Sequence, residues 1–342
     1  MTAQYFSNLA MVTAVVLYLL AFTMHCVEWA AARRTKGEKD TEVGQEKELV
    51  GAAAGGAAAA GGGTATLERV PSSTGPSDAS NRAGGTRRPP LNPKQRSELF
   101  GRLGVMFTIF ALACAMASVA ARGIAAHRWP LGNMYEFTTM AMVIIVAAYL
   151  VLAKMGMRWL GLPVTLLATI GNGLAITVFY VAVAPLVPAL HSVWFVIHIT
   201  AASISGSAFN IGGVISILYL VKSRAEAKGT VKGYLAKLPD ARRMDVVAYR
   251  VLAFAFPLWT FTITAGAIWA EYAWGRYWGW DPKEVWALVT WVIYACYLHA
   301  RSTAGWKGSR ATVIAIIGLA SFWFNFIGVN LLFAGLHSYA GV

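Results

Sequence analysis

Mostly apolar runs, each near the roughly 20 residues needed to cross about 30 Å of hydrocarbon, recur near 5–24, 103–121, 137–153, 162–184, 194–221, 248–270, 284–300 and 311–334. The pattern predicts an all-α, polytopic integral membrane helical bundle of about eight transmembrane helices. The first run belongs to an N-terminal anchor over 1–29. The other seven follow one another within 99–342, joined by short connections, as a single membrane domain. No internal repeat is evident, which argues against a transporter built from inverted halves.

Between anchor and bundle, residues 30–98 are charged, then purely Ala and Gly from Gly51 to Gly63, then rich in Ser, Pro, Gly and Arg. Such a segment buries too little apolar surface to offset its ordering entropy, and interspersed glycines oppose an alanine helix. It is expected to be a disordered cytoplasmic linker.

Charge adds the orientation. The first run is preceded by uncharged residues and followed by Arg33, Arg34 and Lys36, the reverse of a secretory signal. It is expected to stay as an anchor with the N-terminus outside. Threading the chain from there leaves only Arg122, Arg128, Arg276 and Lys283, of 29 Lys and Arg residues, on the outer side. The rich side is then cytoplasmic and both termini are extracytoplasmic. The net charge of +13 is what this orientation requires, so nucleic acid is discounted, and the eight basic residues from Lys222 to Arg250 also attract anionic lipid. Cys26, Cys114 and Cys296 form no Cys-x-x-Cys pair, which removes a zinc site, a dithiol centre and covalent haem attachment to this chain.

From Trp274 to Trp286 the chain reads Trp-Gly-Arg-Tyr-Trp-Gly-Trp-Asp-Pro-Lys-Glu-Val-Trp. Each indole offers a broad apolar face with one N–H handle, so a cluster at the membrane boundary suits a flat, mostly apolar ligand such as a porphyrin. Interfacial anchoring alone would disperse tryptophans over many helix ends; Trp274, Trp278, Trp280 and Trp286 crowd one loop and the turn after it.

Histidines sort by depth. His198 lies about one turn into the fifth run, on the outer side, and His337 follows the eighth, also outside. Asp281-Pro282-Lys283-Glu284 has the form of a helix start, which sets His299 roughly 22 Å deeper, near the cytoplasmic boundary. One iron cannot reach both levels. His198 and His337, on different helices, are candidates to hold one haem from opposite faces, with the tryptophan loop over an edge; His299 is a candidate ligand of an inner site. Arg276, Lys283 and Arg128 are candidate partners for the haem propionates. The alternative for each histidine is an interfacial ring bonded to backbone or water, as expected for His127 and His191. His25 reaches the level of His299, and an inner pair of these two beside the outer pair would make a two-haem, b-type electron carrier; the long linker leaves nothing to fix His25 there.

The Trp274 to Asp281 stretch resembles the tryptophan-rich WWD signature of haem-handling proteins in cytochrome c maturation. Gly266-Ala267-Ile268-Trp269-Ala270, Trp286-Ala287-Leu288, Tyr297-Leu298-His299-Ala300-Arg301, Gly328-Val329-Asn330-Leu331-Leu332, Gly335-Leu336-His337-Ser338-Tyr339 and Asn133-Met134-Tyr135-Glu136 extend the likeness to the CcsA/ResC family over roughly 100–342. The resemblance implies haem b, bound non-covalently in transit, with its iron held by His198 and His337 and its face covered around 269–286, at Trp269, Trp274, Trp278, Trp280, Asp281 and Trp286. It implies an inner site at His299 completed by a separate ResB/CcsB-type subunit with a large extracytoplasmic domain. It also implies attachment of haem to the Cys-x-x-Cys-His of apocytochrome c, a thiol-reducing protein, and residence in the bacterial plasma membrane. Lyase activity is expected only with the partner. The related alternative is a haem exporter or lyase subunit of the other bacterial maturation route, and the more distant one is a permease that binds no haem.

Overall fold

The computed structural model describes residues 2–56, 92–303 and 305–337, with side chains except at 32–56 and Pro93. Its helices are α1 (Ala3–Gly56), α2 (Pro93–Ala126), α3 (Met134–Lys154), α4 (Gly161–Thr177), α5 (Val193–Ala227), α6 (Ala241–Trp274), α7 (Pro282–Ser302), α8 (Ser309–Trp323) and α9 (Val329–Leu332), the last two joined by one π-helical turn at Phe324–Gly328. No strand occurs among the described residues. The chain is a polytopic helical membrane protein.

Seven helical segments among the described residues are long and apolar enough to cross a bilayer. The eighth expected run is α7. The run at 284–300 forms a 21-residue helix, long enough to span. It is less apolar than the other seven because Lys283 and Glu284 open it, His299 and Arg301 close it, and Trp286, Trp291, Tyr294 and Tyr297 contribute less than hydrocarbon does.

The chain divides into one unit of Met1–Cys26 with Phe100–Val342 and another of Val27–Leu99. Within the second, the Ser97 hydroxyl donates to the Glu28 carbonyl at 3.1 Å. The linker expected over 30–98 is helical up to Gly56 and again from Pro93, while 57–91 lie outside the described residues.

In the first unit, the start of α1 packs into the bundle. Met11, Ala14, Tyr18 and Ala21 are buried, and the Ser7 hydroxyl bonds the Ser118 carbonyl at 2.9 Å. His25 is buried against small residues: a methyl group added at Gly104 would meet its Cε1 at 2.7 Å, and one at Gly161 its Nε2 at 2.6 Å. His25 is thus fixed within the first unit. Contacts with α2 and the start of α4 hold it, whereas His299 lies exposed near the end of α7.

α5 is the most buried span. Its small residues allow close approach, the usual basis of helix packing in a membrane. A methyl group at Gly212 would lie 2.6 Å from Leu252 of α6, and one at Gly213 would lie 2.5 Å from Leu319 of α8. Phe209 stacks on Tyr294 of α7 at 4.0 Å between centroids and meets Trp259 of α6 edge-on at 5.7 Å. At the far end, Arg301 grips both oxygens of Asp245 at 2.7 Å, joining α7 to α6.

A buried carboxylate organises the loop before α3. Glu136 accepts from Arg122 at 3.0 Å, from Arg128 at 2.8 Å and from the Gly132 N–H at 2.7 Å, while Asn133 caps the helix through the Glu136 N–H. Glu136 and Arg122 are each 1% exposed. Removing one partner of a buried pair strands the other, at a cost of about 3 kcal/mol or more. Glu136→Ala should therefore lower the thermal unfolding temperature in detergent sharply; a variant that melts with wild type would show that the cluster is not desolvated.

Candidate functional site

α5, α6, α7, the π turn and the loop before α3 line a mainly apolar cavity with nine Phe, Tyr and Trp residues in its wall. Two histidines line it.

His198 sits on α5, and its Nδ1 lies 2.8 Å from the Thr262 carbonyl on α6. A carbonyl only accepts, so Nδ1 carries the proton and the neutral ring keeps its lone pair on Nε2. Gly266, one turn beyond Thr262, makes this approach possible: a methyl group there would meet Nδ1 and Cε1 of His198 at 2.7 Å.

His337 is held in the same manner by a side chain. Its Nδ1 lies 2.8 Å from Oδ2 of Asp281, whose Oδ1 accepts the Leu336 N–H at 2.7 Å. A methyl group at Gly335 would lie 2.6 Å from that Oδ1, so the turn carrying His337 needs glycine there. Asp281 is also the N-cap of α7, within a capping box with Glu284. One carboxylate thus ties the start of α7 to the histidine beyond α9. Burial pushes the Asp281 pKa up, but the His337 hydrogen bond and the Leu336 N–H outweigh it and hold the group at about 2.

Glu284 shapes the loop between α6 and α7. Its carboxylate accepts from the N–H groups of Gly279 at 2.8 Å and Asp281 at 3.1 Å, and pairs with Arg276 at 3.3 Å. Gly275 closes α6 at φ +68°, the left-handed region that favours glycine. Trp280 sits in the same region at φ +56°, a cost of roughly 1–2 kcal/mol for a residue with a side chain.

The indoles differ in role. Trp269 is 1% exposed and donates from Nε1 to the Ala189 carbonyl at 2.8 Å. It touches both histidines, stacked on His198 with centroids 5.6 Å apart and edge-on to His337 at 5.7 Å. Trp274 lies 5.3 Å from His337, and with Trp278 it also lines the cavity. Trp280 and Trp286 do not line it. Trp280 is 69% exposed, edge-on to Trp278, because its backbone turns the indole outward, and Trp286 packs on Phe324 at the π turn.

The three basic candidates also separate. Lys283 lines the cavity and forms no ion pair with the described residues, whereas Arg276 is engaged with Glu284 and Arg128 with Glu136. His299 lies outside the cavity, and the ring of His191 reaches the Leu186 carbonyl at 3.3 Å. Sequence reasoning missed Thr262 and Gly266, whose parts are played by a carbonyl and a missing side chain. It also missed Trp259, which lines the cavity and bonds the Ala287 carbonyl at 3.1 Å. Asn325, delivered to the wall by the π turn, is a further omission.

Both rings thus present their Nδ1 to a fixed acceptor inside an aromatic cavity, the arrangement by which proteins orient histidines that bind a metal through the other nitrogen. This donor set fits haem iron, and the flat apolar walls fit a porphyrin.

Comparison with known proteins agrees. The family described as Cytochrome C assembly protein matches residues 131–337, which include the cavity and both histidines. The cytochrome c biogenesis protein CcsA of Mesostigma viride is 35% identical over 268 residues, covering 71% of this chain and 86% of its own length. That of Synechococcus elongatus is 34% identical over 284 residues, covering 69% and 87%. That of Chlamydomonas reinhardtii is 46% identical over 156 residues, covering 46% and 43%.

Because the folded-state pKa of Asp281 is depressed, its contribution to stability is complete above the ordinary carboxylate range and fades as pH falls towards about 2. The advantage in unfolding temperature of wild type over Asp281→Asn should shrink as pH falls below about 4. A difference that vanishes near neutral pH would show that Asp281 is not held by these contacts.

Proposed function

Because this chain belongs to the Cytochrome C assembly protein family and acts in cytochrome c maturation, we propose that its aromatic cavity holds haem b in transit and presents it to apocytochrome c outside the membrane. Haem is here the substrate, bound without a covalent link. The observation that carries this reading is the pair of anchored imidazoles, His198 on Thr262 and His337 on Asp281, in one cavity walled by Trp269, Trp274 and Trp278.

In this reading Nε2 of each ring binds iron, the indoles cover the porphyrin, and Lys283 meets a propionate. Arg276 and Arg128 act one step back, by holding Glu284 and Glu136 and through them the loops that bound the cavity. Each cysteine thiol of the incoming Cys-x-x-Cys-His adds across one haem vinyl group: a carbon–sulfur bond forms, the thiol hydrogen passes to the neighbouring vinyl carbon, and no net oxidation occurs. The chain's contribution is placement of haem beside the peptide and exclusion of water from iron. Product leaves when the peptide's histidine replaces one of the two ligands.

His299, exposed near the inner end of α7, serves an inner site completed by a histidine of a ResB/CcsB-type subunit with a large extracytoplasmic domain. That subunit, a thiol-reducing protein and the apocytochrome are the partners. The protein resides in the bacterial plasma membrane with both termini outside.

The test is haem attachment in cells that express this chain, the partner subunit and a Cys-x-x-Cys-His substrate. His198→Ala and His337→Ala should each cut holocytochrome yield at least tenfold, with part of the loss restored by added imidazole. Lys283→Ala should lower the haem retained on purification. Equal yields from wild type and both histidine variants would overturn the proposal.

A further inference from the structure

We propose that Trp269, the Thr262 carbonyl and the Asp281 carboxylate hold the imidazoles of His198 and His337 with their planes crossed, so that the bound iron carries crossed axial ligands. The inference rests on the reading of these two histidines as the iron ligands, and adds how their rings are set relative to each other.

The argument is geometric. The plane of Trp269 makes 19° with that of His198 and 69° with that of His337. The angle between the two imidazole planes therefore lies between 69° less 19° and 69° plus 19°, that is between 50° and 88°. Whatever the direction of tilt, the rings are far from parallel.

Three features keep them so when iron binds. Rotation of an imidazole about its iron–Nε2 axis swings Nδ1 through an arc, so an acceptor fixed at Nδ1 fixes the plane. Both Nδ1 atoms have such an acceptor at 2.8 Å, one a helix carbonyl and the other a carboxylate that also caps a helix. Trp269 is the third. It is fully enclosed, hydrogen-bonded from behind to Ala189, and packed against Phe195 at 5.5 Å and Trp274 at 4.9 Å. A close-packed indole of this kind does not turn to let either ring follow the other.

Crossed and parallel ligands leave different electronic marks. Parallel imidazoles donate into the same iron dπ orbital and split the pair, whereas crossed ones donate into both and leave them nearly equal in energy. Oxidised low-spin haem then gives a single large-gmax electron paramagnetic resonance feature in place of three resolved rhombic ones. Trp269 and Asp281 are positioning residues in this account, acting on iron only through the rings they hold.

The experiment uses the full chain, purified with its haem and oxidised. Wild type is expected to show low-spin optical bands and the large-gmax signal. Asp281→Asn, which keeps an oxygen for Nδ1 and a cap for α7, should retain that signal. Asp281→Ala and Trp269→Leu should shift intensity to a rhombic set. A rhombic wild-type spectrum with low-spin optical bands would overturn the crossed geometry while leaving both ligands in place. High-spin wild-type haem would remove the ligand assignment itself, and the inference with it. The wild-type spectrum decides between these results even if a variant fails to fold.

Discussion

The site depends on one carboxylate. Asp281 begins α7, accepts the N–H of Leu336, and bonds Nδ1 of His337 at 2.8 Å, so helix start and candidate iron ligand share an anchor. A short turn after a membrane helix would otherwise let its histidine sample many rotamers, at a cost in entropy paid on every binding event. Here that cost is met during folding. Glu284 extends the same logic backwards through the loop, holding the N–H groups of Gly279 and Asp281 so that Trp278 stays against the cavity.

The bundle supplies the second anchor by a different route. His198 has no carboxylate beside its Nδ1; it uses the carbonyl of Thr262, reachable only because Gly266 leaves the α6 surface bare. The same use of small residues recurs along α5, where Gly212 and Gly213 admit Leu252 and Leu319. Close helix approach thus serves packing and site geometry together. With α5 fixed against α6 and α8, and α7 stacked on α5 through Phe209 and Tyr294, the cavity walls stand on the most buried span among the described residues.

Much of this was legible in the sequence, for identifiable reasons. Length and apolarity mark the spans, and Asp281-Pro282-Lys283-Glu284 announces the start of α7 through local capping chemistry. Both outer histidines and the tryptophan loop stand out by residue type. What escaped depends on groups or distances that leave no local sign. The Asp281 to His337 bond joins positions 56 residues apart, and Thr262 acts through its backbone. The outward turn of Trp280 follows from a left-handed backbone that nothing in its side chain foretells. The setting of His25 between Gly104 and Gly161 likewise joins residues far apart in the chain.

The most direct measurement of the central claim is an experimental structure of the haem-loaded chain with iron located by its anomalous signal. The account predicts iron bonded to Nε2 of both His198 and His337, with the Nδ1 atoms still on Thr262 and Asp281. Iron bound through either Nδ1, or lying at a site that includes neither ring, would contradict it.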